Sequence, residues 1–233
     1  MRFDELLADP PKIHGEGNIS FQLSNEVLRF IQDHLRERLR STLETGAGLS
    51  TIVFALNHSN HICITPDETQ AERITAYCNH HDISIDTLRF EIGRSEEVLP
   101  RLVLPRLDLV LIDGRHGFPT PFIDWYYTTE ALKPGGLLII DDVQLWTGHE
   151  LRSFLLAERE WQLERDFGGR ATAFLKVAEG SHTKSWTEQG YVTRQTSALR
   201  QRSGSFFSRA RRGVELLRAK QFGTIARKFR QRR

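Results

Sequence analysis

The chain has 233 residues, which is enough for one large domain or for one domain with a short extension. Its hydrophobic fraction of 39% supports a substantial core. Its mean hydropathy is −0.41 and it has no apolar run of membrane-spanning length, which argues against an integral membrane protein. The opening MRFDELLADPPK has no apolar signal-peptide core, and the two cysteines lack metal-ligand spacing, so we expect a reduced, cytoplasmic protein.

The net charge of +2 conceals two parts of opposite sign. Residues 191–233 contain 13 Lys and Arg and a single acid, Glu215, so the rest of the chain is net acidic. We therefore predict a domain over residues 1–180 and a basic linker and amphipathic tail over residues 181–233. The tail has three candidate roles: an anionic membrane surface, nucleic acid phosphates, or a partner-docking or solvated extension. Phe and Leu interspersed with Arg between residues 205 and 233 make nucleic acid the weakest of these.

Predicted strands and helices alternate between about residues 20 and 180. The pattern predicts a helix over 25–39, and then a strand, a glycine turn and a helix within 41–57. Further strands are predicted over 61–65, 87–93, 107–113 and 137–142, and a terminal hairpin over 161–177. Between them, helices are predicted over 67–82, 95–102, 122–136 and 150–161. The strands are continuous apolar runs, which is typical of a mostly parallel sheet covered by helices on both faces. The fold class is therefore α/β.

A glycine turn follows the first strand in the sequence ETGAGLST, residues 44–51. Gly46 and Gly48 permit a tight bend and a close approach to a ligand, and the helix that follows offers free N–H groups. The dinucleotide fingerprint requires a third glycine at position 51, where this chain has Thr51. Glu44, two residues before Gly46, would repel a pyrophosphate and suits a ligand with an ammonium group. A dinucleotide, a flavin, S-adenosylmethionine and a plain turn remain the alternatives.

Three aspartates stand at the ends of two predicted strands. Asp113 closes LDLVLID, and Asp141 and Asp142 close LLIIDD. Parallel strands direct their carboxyl ends to one crevice, where carboxylates about 4 Å apart repel by about 4 kcal/mol per pair at an effective dielectric constant near 20. Protons or a hard cation such as Mg²⁺ would relieve this repulsion. The alternative is that some of these aspartates cap turns and that no metal binds.

Taken together, residues 40–178 resemble the class I S-adenosylmethionine-dependent methyltransferases. The resemblance rests on an acid before G-x-G, on GRSEEVLP at 93–100, and on EALKPGGLLIIDD at 130–142, in that order. It implies a Rossmann-like, doubly wound, mostly parallel sheet of seven strands with an antiparallel last strand. The aspartates place the chain nearest the metal-dependent catechol-type and sugar O-methyltransferases. The implied activity is methyl transfer from S-adenosylmethionine, assisted by Mg²⁺, to a hydroxyl of a small molecule or glycan.

The same resemblance implies the site residues. Those expected to hold the donor are Glu44, Gly46, Gly48, Ser50, Thr65, Asp67, Ser95 and Asp113. Family members usually end strand two with an acid that binds the ribose, and this chain has Thr65 there. Asp67 is either a substitute for that acid or the N-cap of the next helix.

The expected metal ligands are Asp113, Asp141 and Asp142, and the expected catalytic residues are Asp113 and His116. His116 occupies the place of the lysine base of the catechol-type enzymes, and the alternative is a loop histidine bonded to backbone. Trp146 and His149 are candidates for the acceptor pocket, and His14 for a lid. His58 and His61 fall around the turn before strand two, away from the crevice. Two further functions stay open: a metal-independent methyltransferase acting on N or O, and a non-catalytic relative that serves as an adaptor.

Overall fold

The computed structural model describes residues 1–13, 23–37, 40–180 and 182–201. The chain divides into two compact units between Lys184 and Ser185. Within the second unit, residues 190–201 are helical, although their polar composition had predicted a linker. No helix in the described ranges has both the length and the apolarity needed to cross a membrane.

The first unit alternates strands and helices in the predicted order. Its helices are α1 (Phe3–Ala8), α2 (Asn25–Glu37), α3 (Leu49–Leu56), α4 (Glu68–His80), α5 (Ser95–Val98) followed by a 3₁₀ turn (Leu99–Arg101), α6 (Thr120–Thr129) and α7 (Trp146–Leu155). Its strands are β1 (Ser41–Thr45), β2 (Asn60–Thr65), β3 (Leu88–Ile92), β4 (Leu107–Ile112), β5 (Leu132–Ile140), β6 (Trp161–Phe167) and β7 (Ala171–Lys176).

The seven strands form one sheet in the order β3-β2-β1-β4-β5-β7-β6. Strands β1 to β5 pair in parallel, and β7 runs antiparallel to both β5 and β6. The predicted fold class, including the antiparallel last strand, is confirmed. The strand order reverses beside β1, so the carboxyl ends of β1 and β4 border the crevice in which ligands bind in open α/β sheets.

Helices cover both faces of the sheet. One buried cluster joins α2, α3 and α4 to alternate residues of the central strands, such as Leu109 and Leu111 of β4. Val110, between them, is equally buried but points to the other face. This burial on both sides explains why the strands read as continuous apolar runs.

Two predicted helices end too late. The helix predicted over 150–161 is α7, Trp146–Leu155, and the helix predicted over 122–136 ends at Thr129, with β5 beginning at Leu132. The Lys-Pro-Gly-Gly segment therefore forms the start of β5, where the pairing with β4 shifts register between Leu107 and Leu109. Gly136 fits this irregular pairing because a Cβ there would lie 3.0 Å from the carbonyl oxygen of Asp108.

Candidate functional site

A cavity of about 630 Å³ opens at the carboxyl ends of the parallel strands. It brings together nearly all of the predicted site residues, namely Gly46, Gly48, Ser50, Thr65, Asp67, Ser95, Asp113, His116, Asp141 and Asp142. Glu44 is not part of the cavity wall. His14 and the rest of residues 14–22 lie outside the described residues, so the predicted lid stays a prediction.

The glycine turn is wedged between two neighbouring strand ends. Gly46 has φ +91°, and a Cβ at this position would lie 2.2 Å from the carbonyl oxygen of Asp113. Its N–H donates to the carbonyl of Ile64 at 2.9 Å. Only glycine fits here, because the backbone conformation and the close approach both exclude a side chain.

Glu44 lies on the side of this turn that faces away from the cavity. Its side chain is 1% exposed and accepts hydrogen bonds from the Ser50 hydroxyl at 2.6 Å and from the Thr51 hydroxyl. Nε2 of His61 lies 3.1 Å from its Oε1. The carboxylate is therefore occupied by the protein itself, and the direct donor contact expected of Glu44 stays a prediction.

Asp67 is the N-cap of α4, since its Oδ1 accepts the Gln70 N–H at 3.1 Å. Thr65 contributes to the same turn: its hydroxyl accepts the Asp67 N–H at 3.2 Å and donates to the Gln70 side chain at 3.3 Å. Both residues also line the cavity, where the ribose of a bound nucleoside was expected. The capping role of Asp67 leaves its second carboxylate oxygen available for a ligand.

Ser95 opens α5 and is backed by a buried carboxyl group that sequence analysis missed. Asp124 of α6 is fully buried and accepts a hydrogen bond from the Thr45 hydroxyl at 2.8 Å. Burial raises the pKa of Asp124 to about 6, although the Ser95 and Thr45 hydroxyls act in the opposite direction. The only sequence signal was an acid inside the apolar run PFIDWYY.

Two of the three strand-end aspartates, the buried Asp141 and the half-buried Asp113, form an acidic pair. Desolvation, followed by the charge of Asp141, raises the pKa of Asp113 well above its usual value. Desolvation and the charge of Asp142 raise the pKa of Asp141, whose buried Oδ1 has no hydrogen-bond partner. The pair therefore favours a bound proton or a nearby positive charge, and Arg170 supplies part of that charge to Asp141.

The third aspartate faces His116. Asp142 has φ +52°, and its Oδ2 lies 2.9 Å from Nε2 of His116. Gly148 of α7 packs against it, because a Cβ there would be 2.7 Å from the Asp142 carbonyl oxygen. Within the described ranges, the only three potential ligand groups whose atoms all lie within 4.8 Å of one another are those of Glu44, His61 and Cys63. The three aspartates therefore share a cavity without converging on one point.

Two exposed aromatic residues lie close in the sequence to His116 and Asp142. Phe118 follows His116 by two residues, and its ring centroid lies 6.0 Å from that of Trp146. The two residues are 67% and 65% exposed. His149 is exposed on the same helix as Trp146. These rings are available to an incoming molecule.

Comparison with known proteins agrees with this geometry. Residues 43–143 match a family model described as a methyltransferase domain, a range that contains both the glycine turn and the three aspartates. None of the curated proteins compared with the chain matches it.

Several solved structures have a similar fold. A putative caffeoyl-CoA O-methyltransferase from Staphylococcus aureus is 17% identical, with 74% of this chain and 96% of that one covered and a TM-score of 0.59. The O-methyltransferase TomG from Streptomyces achromogenes, in complex with SAM, is 17% identical over 76% and 92% of the two chains, with a TM-score of 0.62. An O-methyltransferase from Bacillus cereus, in complex with SAH, is 16% identical over 67% and 84%, with a TM-score of 0.56.

The family match spans β1 to the end of β5, and the structural matches extend the likeness to most of the first unit. This agreement confirms the resemblance stated from the sequence. Residues 43–143 therefore match a methyltransferase domain, within a first unit that has the fold of the solved O-methyltransferases.

Proposed function

We propose that the protein transfers a methyl group from S-adenosylmethionine to a hydroxyl group of a small molecule or glycan. The observation that carries the proposal is the single cavity onto which the glycine turn, Ser95 and the His116–Asp142 pair all open. Two of the structures with a similar fold were solved in complex with SAM or SAH.

The charge of the cavity suits this donor. Asp113 and Asp141 form a carboxyl pair whose pKa values are both raised, so positive charge beside them is favoured. A sulfonium is such a charge. On methyl transfer the acceptor oxygen forms a bond to the methyl carbon, the carbon–sulfur bond breaks, and the sulfur keeps the electron pair as a neutral thioether.

His116 is the proposed base. With Nε2 held 2.9 Å from Oδ2 of Asp142, the ring nitrogen Nδ1 is the atom that takes the hydroxyl proton. The Asp142 carboxylate orients the imidazole and stabilises the positive charge that the ring acquires. The side chains of the pair are 30% and 21% exposed, so they are reachable from the cavity and still partly shielded from solvent.

The acidic set also fits a magnesium ion. All three candidate ligands offer carboxylate oxygens, the kind of donor that Mg²⁺ prefers, and the buried Oδ1 of Asp141 lacks a partner. Asp113 and Asp141 would hold the ion, and Asp142 would join them by giving up a contact with His116 or with Gln144, because each of its oxygens already has a partner. A bound Mg²⁺ would lower the pKa of an acceptor hydroxyl.

The position of Asp142 also favours a second candidate, a metal-independent methyltransferase. In the structure this carboxylate is already paired with His116, which gives a base and its orienting acid without a cation. In the metal-independent reaction Asp113 and Asp141 share a proton, and their only role is to stabilise the positive charge of the donor sulfonium.

Phe118 and Trp146 are proposed to contact the acceptor. Their exposed rings contact each other, follow His116 and Asp142 closely in the sequence, and offer apolar surface to one face of a sugar or phenol ring. The structures with a similar fold include an enzyme involved in tomaymycin synthesis and a putative caffeoyl-CoA enzyme, so they do not single out one acceptor.

The basic tail from residue 202 onward lies outside the described residues. Its proposed contact with an anionic membrane surface therefore rests on its composition alone. Such a contact would suit a lipid-linked sugar as the acceptor. Flotation of the full chain with anionic vesicles tests the contact, and absence of binding at physiological salt contradicts it.

The function is tested by following S-adenosylhomocysteine formation with panels of glycosides, sugar nucleotides and phenols. We expect one acceptor class to be methylated and the rate to fall by about 10²–10⁴-fold in His116→Gln, with donor affinity kept. His80→Gln, an exposed histidine at the end of α4, is the matched control and should retain the rate. Equal activity of His116→Gln and the parent would remove the histidine from the mechanism.

A further inference from the structure

A buried polar cluster lies directly beneath the glycine turn and belongs to no part of the cavity wall. We call Glu44, Thr51, His61 and Cys63 the turn-support cluster. Each of these four residues is no more than 1% exposed. Glu44 was predicted to contact the donor and His61 to lie away from the crevice, so the sequence did not predict this cluster.

Side chains of the turn-support cluster form hydrogen bonds with the backbone of the glycine turn at both of its glycines. The Gly48 N–H donates to the Thr51 hydroxyl at 3.0 Å, and that hydroxyl donates to Glu44. The Cys63 thiol donates to the Gly46 carbonyl at 3.4 Å. The carboxylate is thus linked to Gly48 through one hydroxyl, and it lies at the N-terminus of α3, where negative charge is favourable.

His61 fixes the carboxylate from the opposite side. Nδ1 hydrogen-bonds with the Thr42 hydroxyl at 2.8 Å, and the ring stacks on Phe54 with centroids 4.0 Å apart and planes 13° from parallel. Nε2 is thereby held 3.1 Å from Oε1 of Glu44, although it lies off the line of a hydrogen bond. The ring cannot turn away without leaving Thr42 or Phe54.

A metal ion is the competing explanation, because carboxylate, imidazole and thiol lie within 4.8 Å of one another. Two observations favour hydrogen bonding instead. Both oxygens of Glu44 already accept hydroxyl protons, and the Cys63 thiol already donates its proton to the Gly46 carbonyl. A thiolate would be needed as a ligand.

We infer that Glu44, His61 and Cys63 are positioning residues that set the shape of the glycine turn, and hence donor affinity, without touching the donor. The inference rests on the proposed function, because it assigns the turn to donor binding. It differs from a direct contact between Glu44 and the donor in one decisive respect: it makes donor affinity depend on His61 and Cys63, which no ligand in the cavity reaches.

The test compares two buried free thiols, Cys63 and Cys78. Cys63→Ala and Cys78→Ala remove the same atoms, but only Cys63 contacts the turn. We expect S-adenosylhomocysteine to bind about tenfold more weakly to Cys63→Ala and to His61→Leu, and unchanged to Cys78→Ala. His61→Gln, which keeps a polar side chain near Glu44, should restore part of the affinity. Parent-like affinity of both Cys63→Ala and His61→Leu would overturn the inference.

Two further measurements keep the result clear. Hydrogen exchange at the Gly46 and Gly48 amides is measured without donor, so it reports on the turn even if the proposed function fails. Faster exchange in Cys63→Ala than in Cys78→Ala supports the inference, and equal exchange contradicts it. One equivalent of zinc in the purified full chain would assign the cluster to a metal and would also overturn it.

Discussion

The carbonyl oxygen of Asp113 lies where a side chain on Gly46 would begin, with only 2.2 Å between that oxygen and an added Cβ. This contact locks the glycine turn of β1 against the end of β4. It also places the turn beside the strand-end aspartates, so the turn proposed to bind the donor and the acidic residues share one wall of the cavity.

We therefore expect Gly46→Ala to abolish S-adenosylhomocysteine binding and to destabilise the fold by more than the roughly 1–2 kcal/mol that positive φ costs an alanine. Isothermal calorimetry and chemical unfolding measure the two effects. Gly135→Ala is the matched control, since Gly135 has φ +84° with no atom within 4 Å of an added Cβ. It should show the backbone cost alone and keep the affinity. Equal behaviour of the two variants would contradict the locked turn.

Magnesium should bind the protein saturated with S-adenosylhomocysteine. We expect one ion per chain by calorimetry, and a gain of about 2.7 kcal/mol in the free energy of unfolding at a Mg²⁺ concentration one hundred times the dissociation constant. The Asp141→Asn, Asp142→Asn double variant should lose both effects, while Asp86→Asn, an exposed loop variant, keeps them. No binding by the parent would leave the metal-independent reaction with His116 as the surviving candidate.

Asp124 should make stability depend on pH. Its pKa in the folded protein is about 6, against a usual value of 3.8. Because this acid has a raised pKa in the folded state, its contribution is fully present below the usual value and is lost as pH rises through 6. The difference of about two units corresponds to about 3 kcal/mol.

Asp124→Asn should therefore flatten the decline in unfolding free energy between pH 4 and pH 7 relative to the parent. Asp33→Asn, an exposed variant on α2, should leave that decline unchanged. Urea unfolding across this pH range provides the comparison. A parent and an Asp124→Asn variant with parallel pH profiles would show that the buried carboxyl does not titrate as described.

Periodicity and strand-end chemistry were sufficient for the fold and for most of the cavity. The apolar runs predicted the parallel strands. The acids after β4 and β5 were predicted to lie at one edge of the sheet because the carboxyl ends of parallel strands meet there. The boundary between α6 and β5 was missed because Pro-Gly-Gly signals a stop for a helix, whereas here it forms an irregular start of a strand.

The sequence did not predict which side chains contact each other across the sheet. Nothing local shows that His61 faces Glu44, because that contact depends on the register of β1 and β2, in which Glu44 pairs with Cys63. Asp124, on α6, reaches Thr45 of β1 across 79 positions of chain, and this contact depends on how α6 packs on the sheet. Strand register and helix packing, not residue type, decide which polar groups meet beneath the cavity.

The most direct test of the account is a calorimetric titration of S-adenosylhomocysteine into the full chain. We predict one binding event per chain, accompanied by a higher thermal unfolding temperature and lost in Gly46→Ala. Absence of both heat and a thermal shift in the parent would contradict the assignment of the cavity to the methyl donor, and with it the proposed methyl transfer.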